Sequence, residues 1–143
     1  MVTLAQFEPR LKALTLQIMG NIDEGVRKVA LAIDQAVVMA TPVDTGAARS
    51  NWLVSMGSSR TDTISPYDPG LAGSTASANV SQALEQGRLV IEGYTSGKVI
   101  YISNNLPYIQ RLNDGWSKQA QAGYILKAVQ AATAALGNVR VVP

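Results

Sequence analysis

Apolar residues recur every three or four positions through the first forty residues, which is the pattern of one buried helical face. The stripe consists of Leu4, Phe7, Leu11, Leu14, Ile18, Ile22, Val26, Val29, Ile33, Val37 and Ala40. Pro9 suits the first turn of a helix, so we expect this helix to begin near Glu8. Gly20 interrupts the pattern, and Asn21 with Glu24 has the spacing of a second N-cap. The helix is therefore expected either to kink near Gly20 or to divide into two.

The length of this helix is informative. Unbroken, residues 9–40 would extend about 48 Å. A compact domain of 143 residues has a diameter of only about 40 Å. The helix would overhang its own domain, so either a break or a neighbouring subunit must account for the excess.

A hinge is predicted where this helix stops, because Pro42 lacks a backbone donor and disfavours the α conformation at Thr41. Asp44 or Thr45 is expected to accept a backbone N–H two or three residues further on and to open a new turn. Arg49 lies close enough in sequence to pair with Asp44. We assign six residues to the hinge: Pro42, Asp44, Thr45, Gly46, Arg49 and Trp52.

After the hinge the pattern becomes short and alternating. Residues 51–57 and 98–103 are rich in apolar or β-branched side chains and are predicted to be strands. A Ser/Gly/Pro-rich loop, residues 58–78, separates the first strand from the next periodic segment. Such a long loop is either mobile or an arm that becomes ordered on a partner.

Three further helices are predicted. Residues 80–93 fit a helical period with Gly93 as the stop, although a strand at residues 88–91 is the competing interpretation. Residues 108–115 form two helical turns closed by glycine, and residues 124–136 form a last, alanine-rich helix that ends at Gly137. Residues 139–142 are predicted to add an edge strand. The chain is thus of the α+β class, with helices packed on a small, mostly antiparallel sheet.

Composition limits the classes of function that the chain can have. The 143 residues are most simply one domain, 1–143, with 47% apolar and 15% charged residues and a net charge of +2. Such a charge favours at most weak, salt-sensitive and sequence-independent DNA binding. Neither cysteine nor histidine is present, which excludes disulfides, thiolate zinc sites and histidine bases. Neither a signal peptide nor a membrane span is expected, so we expect assembly in the cytoplasm.

One motif allows a catalytic interpretation. The run from Asp44 to Gly46 is the Asp-Thr-Gly of aspartic proteases, in which two carboxylates share one proton. In those proteins the motif lies on a loop of an almost all-β fold, whereas here it follows about eight helical turns. The acidic residues show no paired spacing and the glycines no phosphate-binding spacing. We therefore expect no enzyme activity, no cofactor and no metal site, and keep a protease that uses Asp44 as a distant alternative.

Three blocks of the sequence resemble one known family. The first is the hinge, residues 41–52. The second and third contain Tyr101, Asn104, Asn105, Pro107 and Tyr108, and then Leu112, Gly115, Trp116, Ser117, Gln119 and Gly123. In this order they resemble the HK97 gp10-like neck, or tail-completion, proteins of tailed bacteriophages. Gln121 stands where that family favours proline.

The resemblance implies a structural virion protein that joins head to tail. It implies a ring, of six copies, around the DNA channel between the head–tail connector or adaptor and the tail terminator or tail tube. Genomic DNA would pass through the lumen without sequence-specific binding. A tail terminator or head-closure protein of the same neck region is the alternative. For the contact between copies we predict Tyr67, Leu71 and Trp116, with a buried packing role as the alternative for Trp116.

Overall fold

The structure is a computed structural model that describes residues 3–136. Its helices and strands follow one another in this order: α1 (Leu4–Ala40), α2 (Ala47–Ser50), β1 (Leu53–Met56), α3 (Ala76–Glu92), β2 (Ile100–Ser103), α4 (Ile109–Asn113) and α5 (Tyr124–Leu136). This long N-terminal helix, the shorter helices and the small antiparallel sheet make the protein α+β, which confirms the predicted class.

α1 is a single helix of 37 residues, about 55 Å long. It begins at Leu4 rather than near Glu8, and Pro9 lies inside it. At its start the backbone N–H of Thr3 donates to Oε1 of Gln6 (3.3 Å). The helix continues through Gly20, so the division into two helices is wrong. One glycine in an exposed helix interior costs about 1 kcal/mol, which is too little to end a long helix.

Only part of α1 belongs to the packed body of the protein. α3 and α5 pack against α1, and the buried positions of α1 begin at Gly25. Residues 8–22, which we call the bare half of α1, are exposed except for Ile18 and Asn21, which are half-buried. The overhang predicted from helix length is therefore present in the single chain.

The two predicted strands pair with each other. β1 and β2 are antiparallel, with Leu53 opposite Ser103 and Val54 opposite Ile102. α3 packs against β1, and it is a helix from Ala76 to Glu92, so the competing strand at residues 88–91 is wrong. The predicted edge strand at residues 139–142 and the helix stop at Gly137 lie outside the described residues.

The core lies where α1, α3, α5 and the sheet meet. One cluster of buried side chains contains Val37, Val38, Trp52 and Ala83, with Ile125 and Val129 of α5 packed against it. A second cluster joins Ala30 of α1, Val54 of β1 and Ile91 of α3. The apolar faces of the helices thus meet the apolar residues of the sheet in one shared core.

The long loop spans residues 57–75 and not the predicted 58–78, because residues 76–78 belong to α3. Hydrogen bonds fasten it to its own domain. The side chain of Asn51 donates to the carbonyl of Ile64 and accepts from its N–H, both at 2.8 Å. The amide N–H of Tyr67 donates to Oγ of Ser50 (3.3 Å). That the loop is mobile or becomes ordered on a partner stays a prediction. These polar anchors were not predicted, because they leave no hydrophobic pattern in the sequence.

Candidate functional site

The hinge forms where α1 meets the core. Thr41 has an extended backbone (ψ 131°) and ends the helix, as the following Pro42 predicts. Its buried hydroxyl donates to the carbonyl of Val37 (2.6 Å) and accepts from Nε1 of Trp52 (2.7 Å). Trp52 is therefore a core residue that also fixes the end of α1.

Gly46 is the point at which the chain turns into α2. Its φ of 93° lies in the left-handed region, where a side chain is strained. A Cβ at this position would also overlap the side-chain amide of Asn79. Both the backbone angle and the close approach of α3 therefore require glycine.

Arg49 does not pair with Asp44, so this prediction is wrong. The Nε of Arg49 donates to the carbonyl of Thr41 (2.8 Å), and one Nη donates to the carbonyl of Met39 (3.0 Å). These carbonyls lie at the C-terminal end of α1, where a cation is favoured by the helix dipole. Partial burial lowers the pKa of Arg49. The guanidinium thus caps α1 from the next turn of the chain.

Asp44 fastens the long loop instead of capping α2. Its Oδ1 accepts from the N–H of Ala72 (2.9 Å), and its carbonyl accepts from the N–H of Gly73 (2.9 Å). Thr45, and not Asp44, accepts the backbone N–H that opens the turn: its hydroxyl accepts from the N–H of Ala47 at a long 3.4 Å. Asp44 is therefore an exposed residue that holds the long loop in place through the loop backbone, and we call this role the latch.

The third sequence block meets the hinge directly. The side-chain amide of Gln119 accepts from the N–H of Val43 (2.9 Å) and donates to its carbonyl (2.8 Å). We call this arrangement, in which one side-chain amide binds both backbone groups of one residue, an amide clamp. A cavity of about 310 Å³ lies between the two segments and is lined by hinge residues together with Tyr108, Leu112, Ser117 and Gln119.

Asn104 adds a second link, because its Nδ2 donates to the carbonyl of Ala48 (2.9 Å). The structure therefore brings part of each block to one place. Burial, together with the nearby charge of Asp44, raises the pKa of Tyr108 at the edge of the cavity.

Other residues of the predicted blocks lie elsewhere. Tyr101 pairs with Ser55 in the sheet, and Asn105 donates to the carbonyl of Arg60 (2.8 Å) in the long loop. Pro107 is exposed. Gly115 and Gly123 have positive φ (91° and 75°) and form the turns around α4 and α5.

The three residues predicted for an interface are all exposed. Trp116 is 72% exposed, Leu71 77% and Tyr67 37%. The guanidinium of Arg111 lies 5.1 Å from the centre of the Trp116 ring, a cation–π distance. The alternative of a buried packing role for Trp116 is therefore wrong, and the interface role stays a prediction.

Three further amide clamps were missed from sequence. Gln86 of α3 binds Val54, as Asn51 binds Ile64. Asn79 of α3 binds both backbone groups of Asp68 (2.8 Å each). No local pattern reveals them, because each partner lies between 11 and 32 positions away. The clamps of Gln86 and Asn79 hold β1 and the long loop against α3, and the clamp of Asn51 holds the loop at the end of α2.

Asp34 was also missed. It lies on α1, is 1% exposed, and its Oδ1 has no hydrogen-bond partner among residues 3–136. Burial raises its pKa to about 7. Its position in the sequence could have revealed it. Asp34 lies four residues from Ala30 and four from Val38, which are apolar residues of the same helical face and are both buried.

The side chains described at the site make contacts that hold the fold together. Asp44 binds loop backbone, and within residues 3–136 no group of three or more acidic side chains is placed to hold a metal ion. No helix in this part of the chain is long and apolar enough to cross a membrane. No family model, curated protein or solved structure matches the chain.

Proposed function

We propose that this chain is a structural virion protein of a tailed bacteriophage that assembles as a ring of six copies at the head–tail junction. In this role it contacts the connector or adaptor on one side and the tail terminator or tail tube on the other. Double-stranded DNA passes through the ring. The protein performs no catalysis and needs no cofactor.

The observation that carries the proposal is the bare half of α1. Its exposed side chains include Leu11, Leu14, Leu16 and Met19, each 43–60% exposed. Single exposed apolar residues are ordinary, but a run of them along one overhanging helix marks a protein contact. A chain built in this way is suited to an assembly in which neighbours cover the overhang.

The resemblance to phage neck proteins indicates which kind of assembly this is, namely a ring. Its first and third blocks lie together at the hinge, where Gln119 clamps Val43. The hinge also sets the direction of α1 relative to the core through Thr41, Trp52 and Arg49. The residues that carry the resemblance therefore determine how the overhanging helix is presented to a neighbour.

The deciding experiment deletes the gene in the phage that encodes it and images the lysate by electron microscopy. The proposal predicts filled heads and finished tails that are not joined, or heads that leak DNA. A plasmid copy of the wild-type gene should restore joined particles, which controls for effects on neighbouring genes. Normal joined particles in the deletion lysate would refute the proposal.

A further inference from the structure

One peptide bond of the long loop has the composition of an acid-labile bond. It joins Asp68 to Pro69, and the sequence contains no other Asp–Pro pair. The nitrogen of Pro69 belongs to a tertiary amide, and such a nitrogen takes up a proton more readily than that of an ordinary peptide bond when the bond breaks. The carboxyl group of Asp68 can close a five-membered ring on the carbonyl carbon of its own residue, because side-chain carboxylates act as nucleophiles. Both residues are exposed, so acid and water reach the bond.

The carboxyl group of Asp68 is free to react, whereas its backbone is fixed. Within residues 3–136 this carboxyl group makes no hydrogen bond or ion pair. The N–H and the carbonyl of Asp68 are both held by the amide clamp of Asn79. Ring closure therefore requires only the rotation of an exposed side chain, while the carbonyl under attack keeps its position. Such prior orientation lowers the barrier of a reaction within one molecule.

The clamp also places a hydrogen-bond donor on the oxygen that becomes negative during the attack. Nδ2 of Asn79 donates to the carbonyl of Asp68 at 2.8 Å. Asn79 is fully buried, and its orientation is fixed from both ends of the amide. Its Oδ1 accepts from Oγ of Ser50 (3.0 Å), and its Nδ2 also donates to the carbonyl of Thr75 (3.1 Å). A donor held in this way stabilises the negative charge that develops on the oxygen.

We propose that the long loop cleaves itself between Asp68 and Pro69 in acid, with Asn79 stabilising the oxygen of the reacting carbonyl. An oxygen of the Asp68 carboxyl group forms a bond to the carbonyl carbon of Asp68. The bond from that carbon to the nitrogen of Pro69 breaks, and the nitrogen takes up the proton of the carboxyl group on the released electron pair. Asp68 is left as a cyclic anhydride, and one water molecule opens it to two carboxyl groups.

The products are two fragments, residues 1–68 and 69–143, which should stay together in the fold. β1 belongs to the first fragment and β2 to the second, and the two strands pair with each other. The N–H of Asp68 in the first fragment still donates to Asn79 in the second. The reaction occurs once in each chain and acts on no other molecule, so it requires neither a ring nor the turnover of a substrate. It opens the loop at one point while the body of the protein remains assembled.

Mass spectrometry of the whole protein tests the proposal. The protein is incubated at the lowest pH at which its circular dichroism is that of the native fold, and a synthetic peptide of residues 62–74 is incubated beside it. The peptide contains the same bond but lacks Asn79. The masses of residues 1–68 and 69–143 should appear. The bond should break at least about tenfold faster in the protein than in the peptide, because one such donor changes the rates of enzymes by about 10²–10³-fold. An equal or slower rate in the protein overturns the proposal.

Variants separate the chemistry from the order of the loop. Asp68→Asn removes the nucleophile, Pro69→Ala the tertiary amide and Asn79→Ala the donor, so each should slow cleavage at least about tenfold. Asn51→Ala is the matched control, because it removes the clamp on Ile64 of the same loop and leaves the clamp on Asp68 in place. It should keep the wild-type rate. Equal slowing in Asn51→Ala and Asn79→Ala would show that cleavage depends on loop order alone, which contradicts the role of Asn79.

Circular dichroism shows whether each variant is folded at the chosen pH. If Asn79→Ala or Asn51→Ala unfolds, the comparison of the wild-type protein with the peptide decides, because it uses no variant. The result is independent of the proposed function. A chain that is not cut in acid can still join heads to tails, and a chain that is cut can still fail to do so.

Discussion

Asp34 of α1 lies against Gly87 of α3 so closely that a Cβ on Gly87 would overlap the Asp34 carboxylate. Val54 of β1 would also lie only 3.0 Å from that atom. α3 can therefore approach both α1 and the sheet only with glycine at this position. The contact brings a carboxylate into the core, and two predictions arise from it.

The first prediction concerns the close approach. Gly87→Ala should destabilise the protein by about 1–3 kcal/mol, because neither the carboxylate nor Val54 has room to move away. Gly20→Ala is the matched control, because no atom lies within 4 Å of the added Cβ. It should stabilise the protein by about 0.5–1 kcal/mol through better helix propensity. Urea unfolding measures both changes, and equal effects of the two substitutions would refute the packing argument.

The second prediction concerns pH. Burial raises the pKa of Asp34 from 3.8 to about 7 in the folded protein. Below about pH 4 the side chain is protonated in both states and has no effect on the pH dependence. Between about pH 4 and 7 the unfolded chain loses the proton while the folded chain keeps it, so the free energy of unfolding should fall by a few kcal/mol in total. Above pH 7 the loss should level off.

Asp34→Asn tests this directly, because it keeps the shape and cannot ionise. The chain has no histidine, so few other groups titrate between pH 5 and 8. Over this range the variant should have a nearly flat stability curve and should exceed wild type above pH 7. Asp114→Asn, on an exposed residue, should keep the wild-type slope. A wild-type stability that is constant from pH 5 to 8 would contradict the prediction.

The third prediction concerns the guanidinium that caps α1. Arg49→Lys should destabilise the protein by about 1–2 kcal/mol, because one ammonium cannot reproduce the forked contacts to the carbonyls of Thr41 and Met39. Arg88→Lys is the control, since Arg88 makes ion pairs on the surface of α3 with Glu85 and Glu92. Its unfolding midpoint should stay close to wild type. Similar losses for both variants would refute the capping role.

Local patterns were sufficient to predict the larger elements, because α1, α3 and α5 each bury one face and the two strands are rich in apolar or β-branched residues. The start of α1 was misplaced, since Thr3 and Gln6 cap it locally while Pro9 is tolerated in the second turn. The end of α1 was located correctly from Pro42, which follows the last helical residues. These successes depend on signals that lie within a few residues of one another.

The contacts within the site could not be predicted in the same way. Arg49 and Asp44 have opposite charges and lie close in sequence, yet each binds backbone groups that only the folded chain brings near. Gln119 lies 76 positions from Val43. An amide clamp can serve any backbone residue, so its partner is determined by tertiary structure and not by residue type.

The fourth prediction concerns that clamp. Gln119→Ala should cost about 1–2 kcal/mol, because two hydrogen bonds to Val43 are lost. The amide of Val43 should also exchange its hydrogen faster, which reports local opening. Gln110→Ala is the control, because Gln110 is exposed and its side chain bonds to Asp114 on the surface. Unchanged exchange at Val43 in Gln119→Ala would show that the clamp contributes nothing in solution.

The last prediction separates the latch from the protease interpretation of Asp44. Asp44→Ala removes the acceptor for the N–H of Ala72, so the long loop should be cut faster by an added protease and the Ala72 amide should exchange faster. Asp44→Asn keeps an oxygen in the same position and should behave like wild type in both measurements.

The two substitutions would be equivalent in an aspartic protease, since either removes the ionisable group. Incubation of each protein with an unfolded polypeptide at acid and neutral pH completes the test. We expect no cleavage by wild type, whereas cleavage that is lost in Asp44→Asn would establish catalysis and overturn the structural role.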